Sequence, residues 1–517
     1  MAAPLFRRIM ITITVVSVAL LQLIDTTIVN VAIPVIQGNL GATLSEATWI
    51  VAGYAVANAI VVPMTGWLSA MLGRRNYYLG SIALFTLASA LCGQASTIWE
   101  LIFFRIIQGV GGGALLATSQ AILVEAYPPE QLGLANALFG IGAVVGPTIG
   151  PLLGGWLTDN YSWPWIFYVN IPVGIVAILL TLLFIEDEQS PPHSRRIDWP
   201  GILLLTIGIG ALQTLLERGQ DEDWFESSLI VTLTIVAILG LLLFVWWELH
   251  TDTPVVNLRV LRHRNTAIGT LFVFILGFGL YASVFIYPVF VQNLLGFSAY
   301  QTGLSLLPGG LTTMAVLPLT GLALRRGVSP KLLTLIGFIS FFVFAWELSN
   351  ETLQSGPEDF FWPLIIRGFA MGFLFVPLTT VALSGLQGAE VAQATGLTNM
   401  LRQLGGSFGL AAISTFIERD LAFHRHELSM HLTPFSAPTR QFLQTIQHGL
   451  VQQGMDLTTA QQGAYGLLNQ TLIRQALVMT YNDAFFYAGL FFLLCIPLLL
   501  LLPRLRPSVS ESHLILE

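Results

Sequence analysis

Asp25 is the residue whose position most demands a chemical explanation. It lies inside an apolar run, Leu23-Ile-Asp-Thr-Thr-Ile-Val-Asn-Val-Ala-Ile-Pro34. If that run crosses a bilayer, holding an ionisable group there costs at least about 2.5–3.5 kcal/mol. On a helix Gln22, Asp25, Thr26 and Val29 share one face, with Asn30 four residues beyond Thr26, so a polar face points into the protein. Arg105 is the matching deep cation of a later run, with Gln108 and Gly109 following on its own face. Arg367 and Arg402 are the deep cations nearer the C-terminus. A carboxylate facing a cation can be a static pair that ties two helices together. It can also take up and release protons, because burial and a neighbouring charge act on it in opposite senses and a conformational change can alter either. None of the 8 histidines falls deep in an apolar run, so a proton relay rests on carboxylates. Glu125, Glu217, Glu347, Glu418 and Asp483 sit toward the ends of runs, where snorkelling suffices. Asp25 alone sits near the middle, and the chemistry favours the proton role.

The elements that must carry these residues are membrane helices. Of the 517 residues 54% are hydrophobic and only 10% charged, and the mean hydropathy is +0.74. Soluble domains carry about 25% charged residues. The apolar stretches run for about 20 residues without alternation, which fits spanning helices and excludes a β-barrel. Fourteen windows of spanning length follow: 9–33, 46–70, 77–95, 100–126, 132–158, 164–185, 200–217, 228–248, 264–290, 301–325, 330–348, 358–386, 396–418 and 481–502. With the N-terminus inside, the inner segments hold 14 of the 22 basic residues, among them Arg7, Arg8, Arg74, Arg75, Arg195, Arg196, Arg504 and Arg506. The short outer loops hold Arg218 alone. The excess places both termini in the cytoplasm. The first window starts after Arg7 and Arg8 and continues past Asp25 with no small-residue cleavage site, so it reads as an uncleaved span.

The order of motifs repeats. Pro63-Met-Thr-Gly66 closes the second window before a basic turn, and Pro318-Leu-Thr-Gly321 closes the tenth before another. Arg105 and Arg367 each precede a glycine-rich stretch. Two six-helix halves, residues 1–185 and 264–517, are expected to flank a linker, 186–263, that carries two inserted helices. Within the second half, residues 419–480 are polar and glutamine-rich. Orientation places them outside, as a small helical cap or a docking surface. His424, His426 and His431 lie there without cysteine or clear carboxylate spacing, so solvated histidines rather than a metal site are expected. Gly140, Gly142, Gly146, Gly150, Gly154 and Gly155, interrupted by Pro147 and Pro151, form a small-residue seam in the fifth window. It either glues helices together or slides where the halves rock. The net charge of -7 argues against nucleic acid as a partner. The two cysteines, Cys92 and Cys495, fall inside apolar windows and imply no disulfide framework. No G-x-x-x-x-G-K-[ST], H-E-x-x-H or G-x-S-x-G occurs, so neither ATP drive nor these enzyme classes are indicated.

These residues resemble the major facilitator superfamily, specifically its fourteen-span drug:proton antiporters of the EmrB/QacA type, over essentially the whole chain. The first-window pattern from Leu23 to Pro34 is specific for that group. Arg105-Ile-Ile-Gln108-Gly109-Val-Gly-Gly-Gly113 is similar to the fourth-span arginine motif, and Gly146-x3-Gly150-Pro151-x2-Gly154-Gly155 to the antiporter motif associated with export. Trp163-Pro-Trp165-Ile-Phe167-Tyr-Val-Asn170-Ile-Pro172-Val-Gly174, Asp198-x2-Gly201 and Asp223-Trp224-Phe225 also look like the family. The chain departs from it at Ala137, where the antiporter motif usually begins with glycine. It departs again at Ala70, where most relatives carry aspartate within the Gly66–Gly73-Arg74-Arg75 loop.

The resemblance implies an all-α major facilitator fold with fourteen spans and alternating access between the halves. It implies export of small hydrophobic or amphiphilic compounds from the cytoplasm or inner leaflet, driven by the proton gradient with no cofactor. Asp25 would carry the proton and Arg105 would tune it. Gln22, Gln108 and Asn30 would complete a polar lining, with Asn399 and Arg402 lining the opposite half. The long segment before the last window is similar to members that work with a periplasmic, EmrA-like adaptor and a TolC-like outer-membrane channel, which implies a Gram-negative inner membrane. Dedicated export of a fatty acid, siderophore or bile salt is compatible with the same motifs. The rival classes are a proton-coupled symporter, against which Gly150-Pro151 argues, and a passive receptor.

Overall fold

The computed structural model describes residues 5–128, 131–186, 197–386, 389–433 and 435–502. Arg195, Arg196, Arg504 and Arg506, counted above, lie outside the described residues. The first half comprises α1 (Leu5–Leu40), α2 (Leu44–Val61), α3 (Thr65–Leu72), α4 (Arg74–Cys92), α5 (Ile98–Ala126), α6 (Leu132–Asn160), the short α7 (Trp165–Tyr168) and α8 (Asn170–Phe184). A 3-10 turn, Val62–Met64, joins α2 to α3 into one rod. The inserted pair is α9 (Trp199–Arg218) and α10 (Ser228–His250). The second half comprises α11 (Arg264–Asn293), α12 (Ala299–Arg325), α13 (Pro330–Leu348), α14 (Phe361–Leu383), α15 (Ala389–Met430), α16 (Ala437–Gln452) and α17 (Leu457–Leu494).

Each of the fourteen windows is occupied by a helix. Twelve helical stretches among the described residues are long and apolar enough to cross a membrane. The helices of the third and thirteenth windows, α4 and α15, are not among the twelve. The reason lies in their packing. α4 begins Arg74-Arg-Asn and is flanked by α5 and α8, while α15 carries Gln393, Thr395, Thr398, Asn399 and Arg402 and lies against α11 and α17. Helices wrapped by protein can keep polar side chains that a lipid-facing helix cannot.

Local chemistry sets the ends of the rods. Thr43 and Glu46 form a capping box at the start of α2, and Ser298 and Gln301 do the same for α12. Gly73 ends α3 at φ 81°, a left-handed conformation that suits glycine, and so lets the chain reverse into α4. The polar segment 419–480 is largely helical, in keeping with the small cap considered above. α15 continues to Met430, α16 folds back, and α17 starts at Leu457 before running on into the last apolar window.

The two P-x-T-G sequences occupy equivalent places in the assembled molecule. A methyl group on Gly66 would lie 2.9 Å from the Gln393 Cα of α15, and one on Gly321 would lie 2.7 Å from the Gly133 carbonyl oxygen of α6. Each half therefore sends this glycine into the backbone of the other, and only the missing side chain permits the approach.

Candidate functional site

Asp25 sits about midway along α1 and is completely buried, and Arg105 projects from α5 to meet it. Arg105 Nη1 donates to Asp25 Oδ2 at 2.7 Å and to Gln108 Oε1 at 2.8 Å. Gln108 Nε2 donates to Asp25 Oδ1 at 2.9 Å. Asn170 Nδ2, at the start of α8, donates to the same oxygen at 2.8 Å and to Ser89 Oγ at 3.0 Å. Arg105 Nε donates to the Ile50 carbonyl oxygen at 3.1 Å, and its guanidinium carbon lies 4.2 Å from the centre of the Tyr54 ring. The carboxylate thus accepts from three side-chain donors. The cluster joins α1, α2, α4, α5 and α8 of the first half alone. Three of its roughly four acceptor positions are thus occupied, and a proton on Asp25 would remove the charge that strengthens all three bonds.

Glycine makes the cluster possible. The seam in α6 packs against α1 on either side of Asp25. A methyl on Gly146 would lie 2.5 Å from Leu23 Cβ, one on Gly150 would overlap the Thr27 hydroxyl, and one on Gly154 would lie 2.7 Å from the Ile28 carbonyl oxygen. Gly155 is buried beside them and Pro151 lies within the same helix. Of the two roles open to this seam, the structure assigns Gly146, Gly150 and Gly154 to a close contact inside one half. Contact between the halves falls to Gly133 and Gly140, the latter against Leu317 and Phe375.

The other expected site residues divide. Gln22 is buried, and its Oε1 accepts from the backbone N–H of Leu116 at 3.0 Å. Asn30 lies exposed, outside the cluster, because the face that buries Asp25 has turned away by that point on the helix. Asn399 and Arg402 belong to a second polar chain that crosses the halves. Arg402 Nη2 donates to Asn399 Oδ1 at 2.5 Å, Asn399 Nδ2 to Gln120 Oε1 at 2.8 Å, Gln120 Nε2 to Asn136 Oδ1 at 3.3 Å and Asn136 Nδ2 to Thr380 Oγ1 at 3.2 Å. Arg74 pairs with Glu125 of α5, so a more distant acid supplies the countercharge in a loop whose usual aspartate is Ala70. Arg75 donates to the Leu182 carbonyl oxygen at 2.7 Å. The second half has Arg367 at the place of Arg105, but no acid occurs anywhere in α11, the counterpart of α1. The second half therefore carries a deep cation with no acid in α11 to face it.

Asn170 and Gln120 were not expected at these sites from spacing, since asparagine and glutamine are unremarkable in any one helix. The signal for Asn170 was its place in the Trp163–Gly174 motif. The histidines also divide: His426 and His431 are exposed as expected, whereas His424 is 8% exposed. Of its two carboxylate partners, Asp420 stands four residues earlier on the same helix, a spacing that the sequence reading passed over, and Asp483 lies 59 residues away on another helix, beyond the reach of local spacing.

Comparison with known proteins places this geometry in context. The model of the Major Facilitator Superfamily matches residues 15–410. The multidrug export protein EmrB of Escherichia coli is 38% identical over 479 residues, covering 92% of this chain and 91% of that one. The fatty acid resistance protein FarB of Neisseria gonorrhoeae is 36% identical over 480 residues, 92% of each chain. Among solved structures, the proton:xylose symporter XylE superposes with a TM-score of 0.57 at 13% identity, over 95% of this chain and 96% of that one. The human organic anion transporter MFSD10 does so with a TM-score of 0.54 at 17% identity, over 95% and 100%. These two show the fold.

Proposed function

This chain belongs to the Major Facilitator Superfamily, a family of multi-pass membrane transporters and not of enzymes, and on that premise we propose that it is a proton-coupled efflux antiporter. It exports small hydrophobic or amphiphilic compounds by alternating access, with Asp25 as the proton carrier. The observation that carries this reading is the fully buried Asp25–Arg105 pair, whose carboxylate holds three helices of one half together through Arg105, Gln108 and Asn170. Protonation cancels the charge that the three donors serve. The bundle can then repack, which links proton occupancy to shape.

On the side of Arg74 the halves meet at Gly66 with Gln393, Gly133 with Gly321 and Asn136 with Thr380, while on the opposite side Gly303 of α12 meets Leu152 of α6. With fourteen crossings and both termini cytoplasmic, the Arg74 side is the cytoplasmic one, and this arrangement is the one closed to the cytoplasm. Similarity to proteins named for multidrug export and fatty acid resistance supports apolar or amphiphilic cargo. Arg402, backed by Asn399 and 5.7 Å from the centre of the Phe375 ring, is placed to meet the polar end of such a molecule. The same similarity supports an inner-membrane location and assembly with a periplasmic adaptor and an outer-membrane channel.

The energetics are sufficient. At a proton-motive force of about 150 mV one proton carries about 3.5 kcal/mol, which supports a gradient of roughly 300-fold for a neutral compound. The deciding experiment is substrate-driven proton flux in proteoliposomes, comparing the unaltered protein with Asp25→Asn. Proton movement opposite to substrate, abolished by the substitution, is the expected result. Movement in the same direction makes the protein a symporter, and unchanged flux in Asp25→Asn removes that residue from the coupling site.

A further inference from the structure

At the ends of their apolar windows, α15 and α17 bring three ligand-type side chains together on the face of the molecule opposite Arg74. His424 Nε2 lies 2.8 Å from Asp483 Oδ2 and 3.1 Å from Asp420 Oδ2. The three atoms all fall within 4.8 Å of one another. Asp420 and His424 stand four residues apart, on one face of α15, and Asp483 reaches across from α17.

An ion pair of histidine and aspartate leaves this arrangement incomplete. Nε2 carries one hydrogen at most and can serve one carboxylate. It serves Asp483, and Asp420 Oδ2, which makes no well-formed hydrogen bond among the described residues, has the His424 nitrogen at 3.1 Å and the buried Thr480 hydroxyl as its polar neighbours. His424 Nδ1 is likewise buried without a partner, so no second acceptor fixes the ring as a doubly donating imidazolium. The arginines next in sequence, Arg419 and Arg425, are exposed. Two carboxylates therefore converge on one nitrogen, and among the described residues no lysine or arginine pairs with either.

We propose that Asp420, His424 and Asp483 form a binding site for a divalent transition-metal ion of the zinc class, which clips the end of α15 to α17. The imidazole nitrogen selects such an ion over calcium or magnesium, which prefer all-oxygen shells. Two carboxylates balance its charge, and water takes the fourth position of a tetrahedron. Metal–ligand bonds of about 2.0–2.2 Å place neighbouring ligand atoms about 3.3–3.5 Å apart, so the two histidine–carboxylate separations of 2.8 and 3.1 Å need open by roughly 0.2–0.7 Å. Binding removes the proton from Nε2, which becomes the donor atom. The inference is independent of the transport reading, since it concerns residues outside the Asp25 cluster.

The test is zinc binding to the full chain, purified in detergent without a polyhistidine tag. Calorimetry and metal content after gel filtration should show one zinc per chain, and zinc should raise the thermal unfolding midpoint. His424→Ala should lose both effects. His426→Ala/His431→Ala should keep both, because those side chains are exposed on the same segment. Asp483→Asn preserves shape and should weaken binding at least tenfold, which decides the matter if His424→Ala fails to fold. Absence of stoichiometric zinc in the unaltered protein, or zinc retained at full affinity by His424→Ala or by Asp483→Asn, overturns the site. Loss of zinc on replacing His426 and His431 overturns it as well.

Discussion

Asp25 and Arg105 stabilise each other only as a pair. Removing one partner of a buried ion pair leaves an uncompensated charge at a cost of about 3–5 kcal/mol, whereas removing both charges can be nearly neutral. Asp25→Asn should therefore lower the thermal unfolding midpoint, and Asp25→Asn/Arg105→Gln should recover most of that loss. Neither variant should move protons against substrate. Thermal unfolding in detergent and proton flux in vesicles separate the two effects. If the double variant regains stability and transport together, the pair is structural glue and proton coupling lies elsewhere. Gln108 and Asn170 donate to the same carboxylate oxygen, so they hold its orientation whichever helix moves.

At the scale of elements, α1 and α6 meet along a seam whose closeness depends on missing side chains. A methyl on Gly150 overlaps the hydroxyl of Thr27, two residues from Asp25. Gly150→Ala should destabilise the protein by about 1–3 kcal/mol and impair transport, because it displaces the helix that carries the carboxylate. Gly150→Ala/Thr27→Ala removes the overlapping oxygen and should regain half or more of the lost stability. Unfolding midpoints of the two variants check this, and failure of Thr27→Ala to compensate would show that the backbone contact sets the spacing. α15 is the other element with a special position. Gln393, Asn399, Arg402, Asp420 and His424 all lie on it, so a single helix reaches from the inter-half contacts to the His424–Asp483 contact with α17.

For the molecule as a whole, the paired glycines Gly133 and Gly321 hold the halves together on the Arg74 side. Gly321→Leu places a side chain against the Gly133 backbone in this arrangement and leaves the opposite one free. A penalty of about 1–3 kcal/mol on one state alone shifts the equilibrium about 5- to 150-fold. Transport should fall while substrate binding persists. Cys92 and Cys495 are both buried, so Gln120→Cys added to this background gives a specific label. Its reactivity toward a membrane-impermeant thiol reagent should rise when Gly321→Leu is present, and unchanged reactivity would show that these glycines do not hold the halves closed.

Much of this was legible from the chain alone, and for physical reasons. Bilayer thickness dictates the length of apolar runs, so the fourteen windows each met a helix. The cost of burying charge made Asp25 and Arg105 conspicuous, and the order of P-x-T-G and arginine motifs carried the duplication. These are local or one-dimensional signals. Other features depend on which helices become neighbours. Asn170 joined Asp25 from 145 residues away, Gln120 met Asn399 from 279, and Asp483 met His424 from 59. The glycine seam illustrates the division well: spacing showed that a close helix contact was intended, but whether it lay within one half or between halves was decided only by packing. Asn30 shows the same limit from the other side, since its helical face was readable and its neighbours were not. Sequence by itself determined the solvent, the helices and the charged pair; tertiary structure decided the partners, because a polar group's role depends on what is brought to hydrogen-bond distance of it.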